Sequence, residues 1–257
     1  MFNFVPKRQS GPVGARGWRV YGVGDIHGRL DLLERLLDKI HDDIASRPPR
    51  KVLLVFVGDL IDRGPNSAQV VERLRTYSHA GVRTIFLLGN HEEVLLRILA
   101  GEADLITKWR WFGGSECLQS YGVDAAKLAE LSDEDALEVV RGAIPPEHVA
   151  FIESFDDSCR FGDFLFVHAG IRPGVEFDQQ RQSDLRWIRE PFLLDETDHG
   201  FVVVHGHTIG AEVEMRPNRI GIDTGAYRSG VLTALAIDGS DSWLLDTRTT
   251  TREVVSC

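Results

Sequence analysis

Residues 18–28 read WRVYGVGDIHG. A β-favouring run over 18–23 stops at a glycine, and Asp25 and His27 follow inside a glycine-flanked turn. In an extended or turning backbone, residues i and i+2 can point the same way, so these two side chains can face one cation together. Working outward, apolar residues at Leu30, Leu33, Leu36, Leu37, Ile40 and Ile44 predict a helix. Asp31 and Glu34 read as its start pair and the RPP at 47–49 as its stop. The run 51–57 is almost wholly apolar, as a strand covered on both faces would be, and it too ends in GD, at Gly58 and Asp59. A second helix over 67–77 and an apolar strand over 82–88 then lead to Gly89 and Asn90. Three strand ends in succession carry polar motifs, and ligands gather at the carboxyl ends of parallel strands.

The remaining chain is less regular. Residues 101–152, with WRWFGG and PPEH, predict a mostly helical insertion that walls the cleft. The run 165–167 leads into His168 and 201–204 into His205 and His207, with short strands expected at 219–222 and 231–237. Residues 1–16 read as a short disordered arm and 17–257 as a single catalytic domain. A chain of 257 residues can bury one large core. Its formal charge of -10 argues against a general nucleic-acid or anionic-membrane surface, so affinity for phosphate must be local. Cys117, Cys159 and Cys257 form no CxxC pair and read as reduced thiols. No apolar run resembles a signal peptide or a membrane span, and the expected location is the cytoplasm.

Collected together, the strand-end residues are Asp25, His27, Asp59, Asp62, Arg63, Asn90, His91, His168, His205 and His207. This mix of oxygen and imidazole donors suits borderline divalent ions such as manganese, iron or zinc rather than calcium. The donors are too many for one tetrahedral ion, and a central carboxylate can bridge two. The bland alternatives fail jointly rather than singly: GDIHG alone would be a turn, Asn90 a turn residue and Arg63 a surface charge. His41, His79, His148 and His199 read as surface or capping residues. Trp109, Trp111 and Phe112 read as core or cleft wall rather than a base-stacking platform. Gly22, Gly24 and Gly28 approach a dinucleotide fingerprint, but His27 stands where its third glycine belongs.

GDIHG, GDLIDRG and GNHE, followed by His168 and HGHT, resemble the motif series of the calcineurin-like metallophosphoesterases. The DRG and GNHE forms are similar to the phosphoprotein phosphatase family and its bacterial relatives. The resemblance implies a four-layer α/β/β/α sandwich of two mixed sheets flanked by helices. It also implies two divalent metal ions, with Asp25 and His27 on the first, Asp59 bridging, and Asn90, His168 and His207 on the second. His91 would be the general acid, oriented by Asp62, with Arg63 gripping phosphate oxygens. Arg189 is favoured as a second phosphate arginine over Arg186, and His205 falls to a supporting position. The implied reaction is in-line attack on phosphorus by a metal-bridging hydroxide. The substrate implied first is a phosphoserine or phosphothreonine protein, with phosphotyrosine open. A nucleotide polyphosphate such as diadenosine tetraphosphate, or an RNA cap of that kind, is the alternative. A phosphopeptide scaffold without catalysis would show a missing ligand or acid, and none is missing.

Overall fold

Side-chain alternation shows how the first strand is placed. The computed structural model describes residues 11–48, 50–128, 130–248 and 253–254. In β1 (Trp18–Val23), Val20 joins a core with Leu53, Val55 and Val57, while Tyr21 and Val23 join another with Leu54 and Phe56. A period-two division between two apolar environments means that both faces of the sheet are covered.

In chain order, α1 (Leu30–Ala45), β2 (Lys51–Phe56), α2 (Ser67–Arg75), β3 (Val82–Phe86) and α3 (Asn90–Ala100) follow. The region 101–152 is helical as expected, with α4 (Leu105–Trp109), a π-helical turn at Arg110–Gly114, α5 (Ser115–Ser120), α6 (Ala125–Leu128), α7 (Asp133–Ala143) and α8 (Pro146–Glu153). Next come β4 (Ser158–Phe161), β5 (Phe164–Val167), α9 (Gln182–Trp187), β6 (Val202–His205), β7 (Glu214–Met215) and β8 (Arg219–Gly221). The described chain closes with α10 (Ala226–Ser229), β9 (Thr233–Asp238), β10 (Asp241–Asp246) and β11 (Glu253–Val254).

The strands form two mixed sheets, ordered β11-β10-β9-β1-β2-β3 and β4-β5-β6-β8-β7. Neighbours β1, β2 and β3 run parallel, as do β5, β6 and β8. Phe164, Phe166, Val202 and Val204 of the second sheet meet Val20, Val55 and Ile237 of the first in the middle core. The helices α1, α2 and α3 cover the outer face of the first sheet, and Leu185, Ile188 and Phe192 cover Leu165, Val167 and Val203 on the outer face of the second. The result is the four-layer α/β/β/α order. It leaves the carboxyl ends of β1, β2 and β3 beside those of β5 and β6, along the seam between the sheets.

Two local expectations fail. The helix-start pair does not cap α1, because Asp31 is held by Arg29 and Arg35 and Glu34 pairs with Arg73 instead. The expected arm is anchored at its far end, where Gly14 N–H donates to Gly239 at 2.8 Å and Val13 accepts from Asp163 N–H at 2.9 Å. Residues 1–10 and Cys257 lie outside the described residues. Cys117 and Cys159 are free and buried. Among the described residues no helix is long and apolar enough to cross a membrane.

Candidate active site

The chain turns sharply straight after each parallel strand, and the turns are stitched to one another. Ile26 and His27 donate their N–H groups to Asp59 O at 3.1 and 2.9 Å, and Gly206 N–H donates to His168 O at 2.8 Å. Glu92 anchors the second turn from beneath. Its carboxylate accepts N–H groups from Asp59, Leu60, Ile61 and Gly89 at 2.8–3.2 Å. Gly89 has no room for a side chain, since a Cβ there would lie 2.2 Å from Asp59 Oδ1. Among the described residues, the non-glycine positions with positive φ are His27 (47°), Asp59 (51°), Asp62 (71°), Arg63 (66°) and His207 (63°), all of them candidate site residues. Such backbone costs on the order of 1–3 kcal/mol per residue and clusters at functional sites.

The side chains converge on Asp59. Its Oδ2 lies 3.6 Å from His27 Nε2 and 3.9 Å from His91 Nε2, whereas its Oδ1 faces His168 Nε2 at 3.5 Å. These separations exceed ordinary hydrogen-bond lengths. His27, Asp59 and His91 make one cluster and Asp59, His168 and His207 another, with ligand atoms within 4.8 Å of one another in each. Asn90 Oδ1 sits between His168 Nε2 at 2.9 Å and His207 Nδ1 at 2.8 Å. Asp25 is outside both clusters. Its Oδ2 accepts the His207 N–H at 3.0 Å, and its Oδ1 is buried without a hydrogen-bond partner, as is His207 Nε2.

These donors fit divalent ions. Burial pushes His27 and His207 down to about 3 and lowers His168 as well, so the rings are neutral and their lone pairs free for a cation. Burial also opposes a charge on Asp59, but His168, His91, His27 and His207 outweigh it and hold the carboxyl below its usual range. Asp25 goes the other way, raised by burial and by repulsion from Asp223 and Asp59. Buried carboxylates facing one another together with unpartnered acceptor atoms are what bound cations would satisfy. In two of these histidines the other ring nitrogen is already tied down, His27 Nδ1 to Ile61 O and His168 Nδ1 to Val57 O, each at 2.8 Å. Such contacts fix the orientation of an imidazole ligand.

His91 and Arg63 lie at the edge of this cluster that faces the cleft. His91 Nδ1 meets Asp62 Oδ2 at 2.6 Å, and its Nε2 lies 3.2 Å from Arg63 Nη2. Burial resists a proton on His91, yet Asp59 and Asp62 prevail and raise it to about 9. Arg63 Nη1 donates to Tyr227 Oη at 2.6 Å, and the guanidinium lies 4.7 Å over the Tyr227 ring. A cleft of about 490 Å³ opens over these residues. Arg189 lines it, whereas Arg186 is tied to Asp157 and Glu93. His205 is buried beside Phe192, its Nδ1 on Gly206 O, and belongs to neither histidine cluster.

Three participants escaped the sequence reading: Asp223, Tyr227 and Trp109's polar contact. Asp223 is buried and lines the cleft beside Asp25. Its signal was available, for residues 219–225 repeat the pattern of an apolar strand ending in Asp with glycine close by.

A family model described as calcineurin-like phosphoesterase matches residues 19–225. The chain belongs to that family. This metallophosphoesterase is 31% identical over 232 residues to serine/threonine-protein phosphatase 1 of Salmonella typhimurium, covering 87% of this chain and 94% of that one. It is 27% identical over 234 residues to an asymmetrical bis(5'-nucleosyl)-tetraphosphatase PrpE of Anoxybacillus flavithermus, covering 83% and 88%. Among solved structures, a provisionally assigned diadenosine tetraphosphatase superposes with a TM-score of 0.63 at 22% identity, over 90% of the metallophosphoesterase and 94% of that chain. A cold-active protein tyrosine phosphatase gives 0.59 at 19% identity, over 92% and 78%. Both support the two-sheet fold.

Proposed function

We propose that this metallophosphoesterase is a protein phosphatase that hydrolyses phosphoserine and phosphothreonine monoesters, using two divalent ions held around Asp59. Asp25 and His27 would hold one ion and Asn90, His168 and His207 the other, with manganese the expected metal. Bound ions of this kind acidify water and neutralise charge on phosphoryl oxygens. The chain itself supplies orientation and a proton. Arg63 and Arg189 face the cleft as the cations for the remaining phosphoryl oxygens, Arg63 through a fork of donors that matches two of them.

The observation that carries the reading is the His91–Asp62 pair beside Arg63. In the resting geometry the 3.2 Å approach of Arg63 Nη2 needs a bare Nε2 on His91, while Asp59 and Asp62 favour a proton there. A phosphate that draws the guanidinium towards itself leaves Nε2 free to carry that proton. It then goes to the departing oxygen. An alkoxide of serine or threonine needs such a donor, whereas a nucleotide leaving from an anhydride is already a stable anion. The likeness to a serine/threonine-protein phosphatase of Salmonella points the same way.

A nucleotide polyphosphate is the second reading, favoured by the far wall of the cleft. Phe112, Trp187 and Lys108 line it, two aromatic faces and a cation suited to a base and additional phosphates. Trp109 also lines the cleft but is only 2% exposed, and Trp111, 85% exposed, does not line it. The test is kcat/KM for a phosphothreonine peptide, a phosphotyrosine peptide and diadenosine tetraphosphate at one manganese concentration. The phosphothreonine peptide should be turned over fastest, and a higher value for the tetraphosphate would replace the first reading by the second.

A further inference from the structure

The WRWFGG segment of the insertion, residues 109–114, touches the reaction machinery at two points, through Trp109 and through Gly113. Trp109 Nε1 donates to Asp62 Oδ2 at 2.8 Å, the same oxygen that meets His91 Nδ1 at 2.6 Å. Gly113 O accepts the main-chain N–H of Arg63 at 3.1 Å. Both contacts depend on the π-helical turn. A Cβ on Gly114 would lie 2.4 Å from the Trp109 ring, and one on Gly113, whose φ is 109°, would lie 2.4 Å from Arg63 N. Asp62 and Trp109 are nearly or wholly inaccessible to water, so no solvent donor fixes the carboxylate.

From this geometry we infer that Trp109 is a positioning residue for acid catalysis, locking the Asp62 carboxylate so that His91 keeps its Nε2 aimed at the leaving oxygen. With His91 alone on Oδ2, the carboxylate could swing about its terminal torsion and carry the imidazole with it. A second donor at a different angle on the same oxygen removes that freedom. The indole suits this task because it only donates: it never accepts the His91 proton and brings no charge to repel an imidazolium. Lys or Arg would satisfy Asp62 but would compete electrostatically with His91. The insertion is thereby wired to the leaving-group half of the reaction as well as forming a wall.

This inference rests on the phosphatase reading above, and its test separates the two. Wild-type and Trp109→Phe enzymes, loaded with manganese, are compared on a phosphothreonine peptide and on 2,4-dinitrophenyl phosphate, whose leaving group needs no proton. The expected result is a fall in kcat of roughly 10- to 100-fold on the peptide and under about 3-fold on the aryl ester, with unchanged metal content. In an Asp62→Asn background the same substitution should add little on the peptide, because the two act through one contact. Replacing the Trp109 indole by isosteric benzothiophene removes only the N–H and gives the same comparison where phenylalanine disturbs packing. Equal losses on both substrates, or no loss on the peptide, would overturn the positioning role. No turnover of the peptide by the wild type would overturn the phosphatase reading instead.

Discussion

Asp59 presents its two oxygens to different histidines, which is how a single carboxylate can serve two ions. Arg63 is used as fully, because its guanidinium meets Tyr227 Oη and His91 Nε2 and lies over the Tyr227 ring. Lysine has one point charge and no planar fork, so it cannot keep these contacts and still grip phosphate. Arg63→Lys should therefore lower kcat/KM by roughly 10- to 100-fold with metal content unchanged, on the usual worth of charge-assisted hydrogen bonds. Steady-state kinetics on the phosphothreonine peptide measures it, and an unchanged kcat/KM would remove Arg63 from phosphate binding. At this scale the legible residues were those compressed into short turns, Asp25 with His27, Asp59 with Asp62 and Arg63, Asn90 with His91. Each turn carries its own glycine and its own chemistry, and it is their succession along the chain, not any one of them, that announces the site. Tyr227 gives no such signal. It reaches Arg63 across 164 positions of sequence, and only the folded chain brings the pair together.

Among the elements, β2 was readable because a strand covered on both faces is a run of apolar residues, whereas β1 and the edge strand β3, which carry Arg19 and Arg83, were readable from their β-favouring residues and the glycine that follows each. β4, β7 and β10 were not. β4 carries Arg160 exposed, β7 has two residues and β10 opens and closes on aspartates, so none forms the apolar run that marks a buried strand. The start of α1 was misread for another reason, since arginines nearby take the carboxylates that could have capped it. The middle core makes the element-scale prediction. Phe166 of β5 is wholly buried between the sheets, against Val20 and Val55 among others. Phe166→Ala should cost about 3–5 kcal/mol, from lost transfer energy plus the cavity left in a layer that cannot collapse. Equilibrium urea denaturation reads this as a lower midpoint at similar slope, and a loss below about 1 kcal/mol would mean that the sheets do not depend on this contact.

Across the whole molecule, the proposed ligands come from both sheets. Asp25 and His27 follow β1 while His168 and His207 follow β5 and β6, and the His207 N–H to Asp25 contact joins positions 182 apart. The ion proposed at Asn90, His168 and His207, with Asp59 between the two clusters, would therefore clasp the two halves of the sandwich. Its binding energy adds to folding energy, about 2.7 kcal/mol when free metal stands at 100 times its Kd. Chelation should lower Tm by roughly 5–10 °C for a domain of this size. The loss should also be uneven. Amide exchange after chelation should quicken first at the ends of β1, β5 and β6, where the clasp was fastened, while α1 against the outer face keeps its protection. Uniform exchange throughout the chain would show that the ions sit on a seam already closed without them. The same ions that ready water for phosphorus would then double as the last fastener of the fold, so that an enzyme short of metal loses its shape at the place where it would have worked.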